Sequence, residues 1–331
     1  MAINLLTLEP HKVSRDLSGY ITYVYGAPKV GKTTLGSQMP SPLLLAFEKG
    51  YNAIPGIIAQ DVTSWAEVKM VLRELKKPEV REKFKTLIID TVDQAAACCE
   101  KYVCSQYEAD SIAAVGAYGQ GWNILKKEFE DPFRQMAQLG YAVMFISHEK
   151  EGTFKKQDGT EYSVIRPAIT NTYNAIIENM VDIYARMYTK IENGQTAVKL
   201  MLRSQDGSVT CGGRFKYIPA EVDGTYDALV AALNTAIDRE AEERGNKYVT
   251  ESRESSVIKT EYNYDELKTS INKKIEELTQ GHDENDFKEN IAPRITQIVE
   301  RYLGKGKKIS QTSREQGEQL FLINTDLQEI N

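Results

Sequence analysis

The stretch Tyr20-Ile21-Thr22-Tyr23-Val24-Tyr25-Gly26-Ala27-Pro28-Lys29-Val30-Gly31-Lys32-Thr33-Thr34 decides how this chain is read. Tyr20–Tyr25 is a β-branched and aromatic run that suits a strand, it stops at Gly26, and Thr33–Gln38 is compatible with a helix. Between them the residues match G-x-x-x-x-G-K-[ST] without a mismatch. Gly26 and Gly31 let the backbone fold tightly around phosphate groups, whose charge meets exposed amide N–H groups and the positive end of the following helix. Lys32 is placed to reach the β- and γ-phosphates, and the Thr33 hydroxyl to ligand Mg²⁺. The strand–loop–helix context turns the motif into an expected nucleotide-binding loop formed by Gly26, Ala27, Pro28, Lys29, Val30, Gly31, Lys32, Thr33 and Thr34.

Three further apolar runs follow the same plan. Leu43–Phe47 ends in polar Glu48-Lys49-Gly50, Leu87–Ile89 ends in Asp90, and Tyr141–Ile146 ends in Ser147-His148-Glu149-Lys150. Short apolar runs of this kind, each closed by polar residues, read as buried parallel strands. Helical spacing over Val62–Lys76 and a helix-rich stretch from Asp93 to Leu139 separate them, with Trp65 and Trp122 expected in the core. Asp158-Gly159 and Asn193-Gly194 each sit between alternating segments and signal hairpins, added at an edge or face of the sheet. The expectation is an α/β core with a mainly parallel sheet.

Composition bounds the rest. With 331 residues, 41 Lys+Arg and 47 Asp+Glu, the chain is of globular type, and no apolar run approaches the roughly 18 residues of a membrane span. The N-terminal residues lack a signal-peptide pattern and the four cysteines form no CxxC pair, so a reduced, cytoplasmic protein without structural zinc is expected. From Asp238 to Asn331 there are 15 Lys+Arg and 20 Asp+Glu, leaving 26 and 27 for residues 1–237. We therefore expect a nucleotide-binding core over 1–237, then a charged linker and C-terminal helices over 238–331, with helical patterns at Tyr264–Leu278 and Phe287–Leu303.

Chemistry at such a loop needs a second acid to hold the metal's water shell, and Asp90 at the end of the third strand fits. Hydrolysis also needs a group that orients or deprotonates water. Glu48, directly after the second strand, is the first choice, with Glu149 its competitor. Asp93 reads as a helix cap or surface residue.

The segments Gly26–Thr34, Leu44–Gly50, Leu87–Thr91 and Phe145–Glu149 together resemble phage-encoded RecA-like P-loop NTPases, the short single-strand annealing and recombination proteins that also go under AAA-type. The resemblance covers roughly residues 15–235. It implies a RecA-like core with strand order 5-1-4-3-2, use of ATP with Mg²⁺, single-stranded DNA as partner, and self-association as a ring or filament. That order puts the fourth strand beside the loop strand and makes His148 a sensor of the γ-phosphate. Loops after the fourth strand would then face DNA. Here they carry Phe154, Lys155, Lys156 and Arg166, although Glu149–Thr170 balances four Lys/Arg against four Asp/Glu. Arg203, with Lys199 and Arg186 as alternatives, is the candidate to reach a neighbouring subunit's nucleotide. The competing reading is a nucleotide-gated scaffold with little turnover, acting on replication or single-strand-binding proteins through the C-terminal helices.

Overall fold

The computed structural model describes residues 10–155, 159–244, 248–251 and 262–330. These form two compact units, one within Pro10–Ile258 and one within Lys259–Asn331.

The first unit opens with β1 (Val13–Ser14), β2 (Ile21–Gly26), α1 (Lys32–Ser37), β3 (Pro42–Ala46), β4 (Ala59–Asp61), α2 (Trp65–Leu75), α3 (Pro78–Lys83) and β5 (Thr86–Asp90). It continues through α4 (Val92–Gln106), α5 (Gln120–Gln138), β6 (Ala142–Lys155), β7 (Glu161–Pro167), α6 (Asn171–Met180) and β8 (Ile183–Glu192). It closes with β9 (Gln195–Met201), β10 (Gly212–Gly213), β11 (Glu221–Asp223), α7 (Tyr226–Arg244) and β12 (Val249–Thr250), the last paired with β1.

The main sheet runs β11-β9-β8-β2-β6-β5-β3-β4. Counting β2, β3, β5, β6 and β8 as the first to fifth strands, this is the order 5-1-4-3-2, and β8, β2, β6, β5, β3 and β4 are parallel neighbours. Burial on both faces explains the unbroken apolar runs. Tyr23, Leu45, Ile89 and Phe145 pack on one face under α2, α4, α5 and α6. Their chain neighbours Val24, Leu44, Ile88 and Ile146 pack on the other with Leu35 of α1 and Leu233 of α7, as the period of two requires. Local signals place the helices. Ser64 caps α2 in a reciprocal box with Glu67, and the Thr91 hydroxyl accepts the Gln94 N–H at the start of α4.

Several expectations need correction. The polar run Ser147–Lys150 does not end the fourth strand. β6 continues through it to Lys155 and pairs antiparallel with β7. Asn193 and Gly194 do form a two-residue turn, with φ of 52° and 78°, but β8 is the fifth strand of the sheet itself, so that hairpin extends the sheet rather than decorating it. Trp65 is buried, whereas Trp122 is 42 % exposed. Gly121 is pressed against the Ile112 and Val115 carbonyls, where a Cβ would stand 2.3 and 2.7 Å away. The next side chain, turned about 100° around the helix, faces out. The composition break at Asp238 falls inside α7, so the first unit extends past the expected 237 boundary.

In the second unit, α8 (Tyr264–Gly281), α9 (Glu284–Asp286), a π-turn (Phe287–Ile291), α10 (Ala292–Leu303) and α11 (Gly317–Gln328) enclose their own apolar core. The two expected helices are α8 and α10, and α11 is additional. Most of the expected linker over Arg239–Thr260 lies in α7 or outside the described residues.

Candidate nucleotide site

Every parallel strand of the first unit presents its C-terminal end at one edge of the sheet. There Gly26 lies in register between His148 of β6 and Met187 of β8. A Cβ on residue 26 would stand 2.1 Å from the Met187 carbonyl oxygen, so only glycine lets the chain leave β2 at this point. Lys29 and Gly31 then adopt positive φ, 64° and 111°, and wind the loop back into α1. Within the loop Val30 is buried, while Pro28, Lys29 and Thr34 are exposed.

The next two side chains point inward. The Lys32 ammonium donates to the Gly26 and Ala27 carbonyls at 2.9 and 2.8 Å. Burial lowers its pKa, against the raising effect of Asp90, Glu149, Asp93 and Glu48. The Thr33 hydroxyl donates to Asp90 Oδ2 at 2.6 Å. Asp90 is 6 % exposed, and burial pushes its carboxyl above the ordinary range, a rise that the Thr33 hydrogen bond opposes and nearby Glu48 reinforces.

Glu48 is brought alongside by the backbone: the Phe47 and Glu48 N–H groups both donate to the Asp90 carbonyl, at 2.7 and 3.3 Å. One Glu48 oxygen accepts from the Thr91 hydroxyl at 3.0 Å, and the other lies 3.4 Å from His148 Nε2. Asp93 ties α4 to β6. Its two oxygens accept from the Ser147 hydroxyl at 3.0 Å and the His148 N–H at 3.2 Å. His148 Nδ1 is buried without a hydrogen-bond partner.

The structure thus links Thr33, Asp90, Glu48 and His148 through one chain of contacts, while Lys32 is held by the carbonyls of its own loop. A hydroxyl and a buried carboxylate 2.6 Å apart form a hard oxygen pair that suits Mg²⁺, an ion that takes one or two protein ligands and leaves the rest to water and phosphate. No cluster of three or more His, Cys, Asp or Glu able to hold a metal occurs among the described residues.

Sequence reasoning missed two members of the network. Asp93 is a positioning residue rather than a surface cap, and Thr91 orients Glu48. Both follow Asp90 on the turn into α4, and only the pairing of β5 with β6 reveals what they touch. Glu149 is taken by Arg186, whose Nε donates to it at 2.8 Å.

The remaining candidates lie elsewhere. Phe154 and Lys155 are placed on β6 opposite Tyr162 and Glu161, and Lys156 lies outside the described residues. Arg166 on β7 donates to Asn171 at 2.6 Å. Arg203, just past the end of β9, donates to the Phe215 and Lys216 carbonyls, both at 2.6 Å, so its guanidinium serves its own chain. Lys199 bridges Glu192 and Asp223.

Comparison with known families covers the same region. A family model described as AAA domain matches residues 18–215, which span the Gly26–Thr34 loop, Glu48, Asp90 and His148. The chain belongs to this AAA-domain family. It is also 28 % identical over 338 residues to the SPbeta prophage-derived uncharacterized protein YorG of Bacillus subtilis (strain 168), covering 100 % of this chain and 99 % of that one. Two solved structures are similar at a TM-score of 0.34 and 10 % identity. The flagellar accessory protein FlaH from Methanocaldococcus jannaschii covers 65 % of this chain and 93 % of its own. The KaiC-like protein PH0186 from Pyrococcus horikoshii OT3 covers 58 % and 88 %. Among the described residues of this AAA-domain chain, no helix is long and apolar enough to cross a membrane.

Proposed function

We propose that this chain binds ATP with Mg²⁺ at the sheet edge and hydrolyses it, and that the bound nucleotide organises a homo-oligomer on single-stranded DNA during phage recombination or annealing. The observation that carries the nucleotide reading is the Thr33–Asp90 contact of 2.6 Å beside a glycine loop that admits no Cβ at residue 26. Mg²⁺ on Thr33 and Asp90, partly through water, would supply charge neutralisation for the phosphates. Lys32 exchanges its loop carbonyls for phosphate oxygens, Glu48 orients and deprotonates the attacking water, and Thr91 holds Glu48 in place.

His148 stands 3.4 Å from Glu48 on the strand that continues as the β6–β7 hairpin. A change in the His148–Glu48 contact on loss of the γ-phosphate would therefore bear on one end of the arm that carries Phe154, Lys155 and Arg166. That continuity supports the DNA-facing role of the hairpin, and full-length similarity to a prophage-derived protein supports the phage setting. A cytoplasmic location of the host cell follows from this reading.

The test is ATP turnover with and without single-stranded DNA over a range of protein concentration, with Lys32→Ala as control. Turnover that rises with both DNA and concentration, and is lost in Lys32→Ala, is expected. Turnover near zero and indifferent to both, with intact binding of replication or single-strand-binding proteins, would establish the scaffold reading instead.

A further inference from the structure

A direct tie between the nucleotide edge and the β6–β7 arm runs through Tyr25. This residue is the last before Gly26, and it is fully buried. The period of two along β2 turns its ring to the face that holds Tyr23 and Phe145. There its hydroxyl stands 2.7 Å from the Thr210 carbonyl oxygen and 3.1 Å from the Ile165 carbonyl oxygen. Burial raises the phenol's pKa, so the group stays protonated and shares its one proton between the two acceptors.

Ile165 belongs to β7, the returning strand of the arm, and pairs with Glu151 of β6. It also receives a loop from farther along the chain. The Ile165 N–H donates to the Ser208 carbonyl at 2.8 Å, and the Thr210 N–H donates to the Ile165 carbonyl at 3.0 Å. Tyr25 therefore closes a junction of β2, the arm and the Ser208–Thr210 loop. The base of the arm is firm on its other side as well, where the Ala168 N–H donates to the His148 carbonyl at 2.7 Å and the Lys150 ammonium to the Ala168 carbonyl at 2.6 Å.

The Gly26 and Ala27 carbonyls accept from Lys32, and these are the bonds that Lys32 gives up on turning to a phosphate. The end of β2 thus has different partners in the free and the bound protein. A side chain anchored at that end biases whatever else it holds. We infer that Tyr25 is a positioning residue that carries occupancy of the phosphate loop to the β6–β7 arm, by a route through β2 separate from the His148 contact on β6. The inference rests on the nucleotide-site reading above and assigns part of that site's regulation.

Amide hydrogen exchange is followed on the full chain with Mg²⁺, with and without a non-hydrolysable ATP analogue whose binding is measured by calorimetry on the same samples. In the wild type the analogue is expected to slow exchange about fivefold or more both at Ile165 and across Ser208–Thr210, because one hydroxyl clamps the two. Tyr25→Phe keeps the ring and removes the hydroxyl. It is expected to bind the analogue within about threefold of wild type, while exchange in both segments becomes fast and responds to the analogue by less than about twofold. A merely structural role for Tyr25 would raise both rates and leave the response to the analogue intact. A full wild-type response in Tyr25→Phe therefore overturns the inference. So does a wild type in which the analogue binds yet slows one segment alone or neither, a comparison that stands whether or not the variant folds. A wild-type chain that gives no heat with the analogue sinks the nucleotide site, and the route with it.

Discussion

The nucleotide edge and the C-terminal helical unit handle polar groups in opposite ways. At the edge, Lys32, Asp90, Thr91 and Ser147 are buried, and two of the four are ionisable groups whose charged forms burial disfavours. In the helical unit the buried residues are apolar, among them Ile271, Leu320, Ile323 and Leu327. Its ion pairs Lys273–Glu277, Lys288–Glu284 and Arg314–Asp265 are exposed. Burying charge costs free energy unless partners compensate. One region therefore holds polar groups whose burial is costly, and the other buries apolar side chains.

The largest effect should come from the edge. Gly26→Ala drives a Cβ to 2.1 Å from a backbone oxygen of β8, which no side-chain rearrangement relieves. A loss of more than about 4 kcal/mol in urea-unfolding free energy is expected, together with loss of Mg-ATP binding. An unfolding midpoint at the wild-type value would show that β2 and β8 can separate at their ends.

Next is a change confined to the helices. Leu320→Ala empties a fully buried position and should cost the second unit about 2–5 kcal/mol. The affinity for Mg-ATP, measured on the same protein, should stay within about twofold of wild type. A parallel loss of nucleotide affinity would mean that the contrast between the regions hides a coupling.

Asp90→Asn has the opposite sign in the absence of ligand. Burial raises the folded pKa of Asp90 above its unfolded value, so the folded state holds the proton more tightly. Stability from this group is greatest below the unfolded pKa and is lost as pH rises through the folded one. At neutral pH the charged group is therefore a burden, and Asp90→Asn should gain about 0.5–2 kcal/mol in metal-free buffer while removing the Mg²⁺ dependence of ATP binding. A less stable Asp90→Asn protein would indicate that the Thr33 hydrogen bond outweighs desolvation.

This sign could not be read from the sequence, although much of the site could. The ends of β3 and β5 were legible because parallel strands buried on both faces leave apolar runs ending in polar groups, as in Thr86–Asp90, whereas the strand order was implied only by the resemblance to RecA-like NTPases. Strand β4 was not legible, since three residues carry no period, and neither was the persistence of β6 through the polar run Ser147–Lys150, which reads as a strand end ahead of a separate hairpin. Trp122 was misplaced because helical spacing identifies an apolar face only where another element covers it. Thr91 and Asp93 escaped because their partners, Glu48 and Ser147, lie on other strands, and register across β3, β5 and β6 is a property of the fold. Arg203 was named for its charge, and its contacts with the Phe215 and Lys216 carbonyls lie in a loop that no local pattern marks.

The finest test sets the same kind of interaction in both regions, down to a variant expected to have no effect. Lys288–Glu284 is the closer pair at 2.6 Å, yet its side chains are 66 % and 82 % exposed. Arg186–Glu149 is longer at 2.8 Å, with side chains 15 % and 21 % exposed. Water and salt screen the first pair, and holding two long exposed side chains costs entropy, so the shorter distance should count for less than the shelter. Arg186→Ala also strands Glu149, one residue from His148, and is expected to cost about 1–3 kcal/mol in unfolding free energy with little dependence on salt. Lys288→Ala should leave the unfolding midpoint unmoved within error at any salt concentration. If the two variants instead respond alike, and both fade as salt is added, then the edge is wetter than its burial indicates, and the cost assigned to Lys32 and Asp90 must be lowered with it.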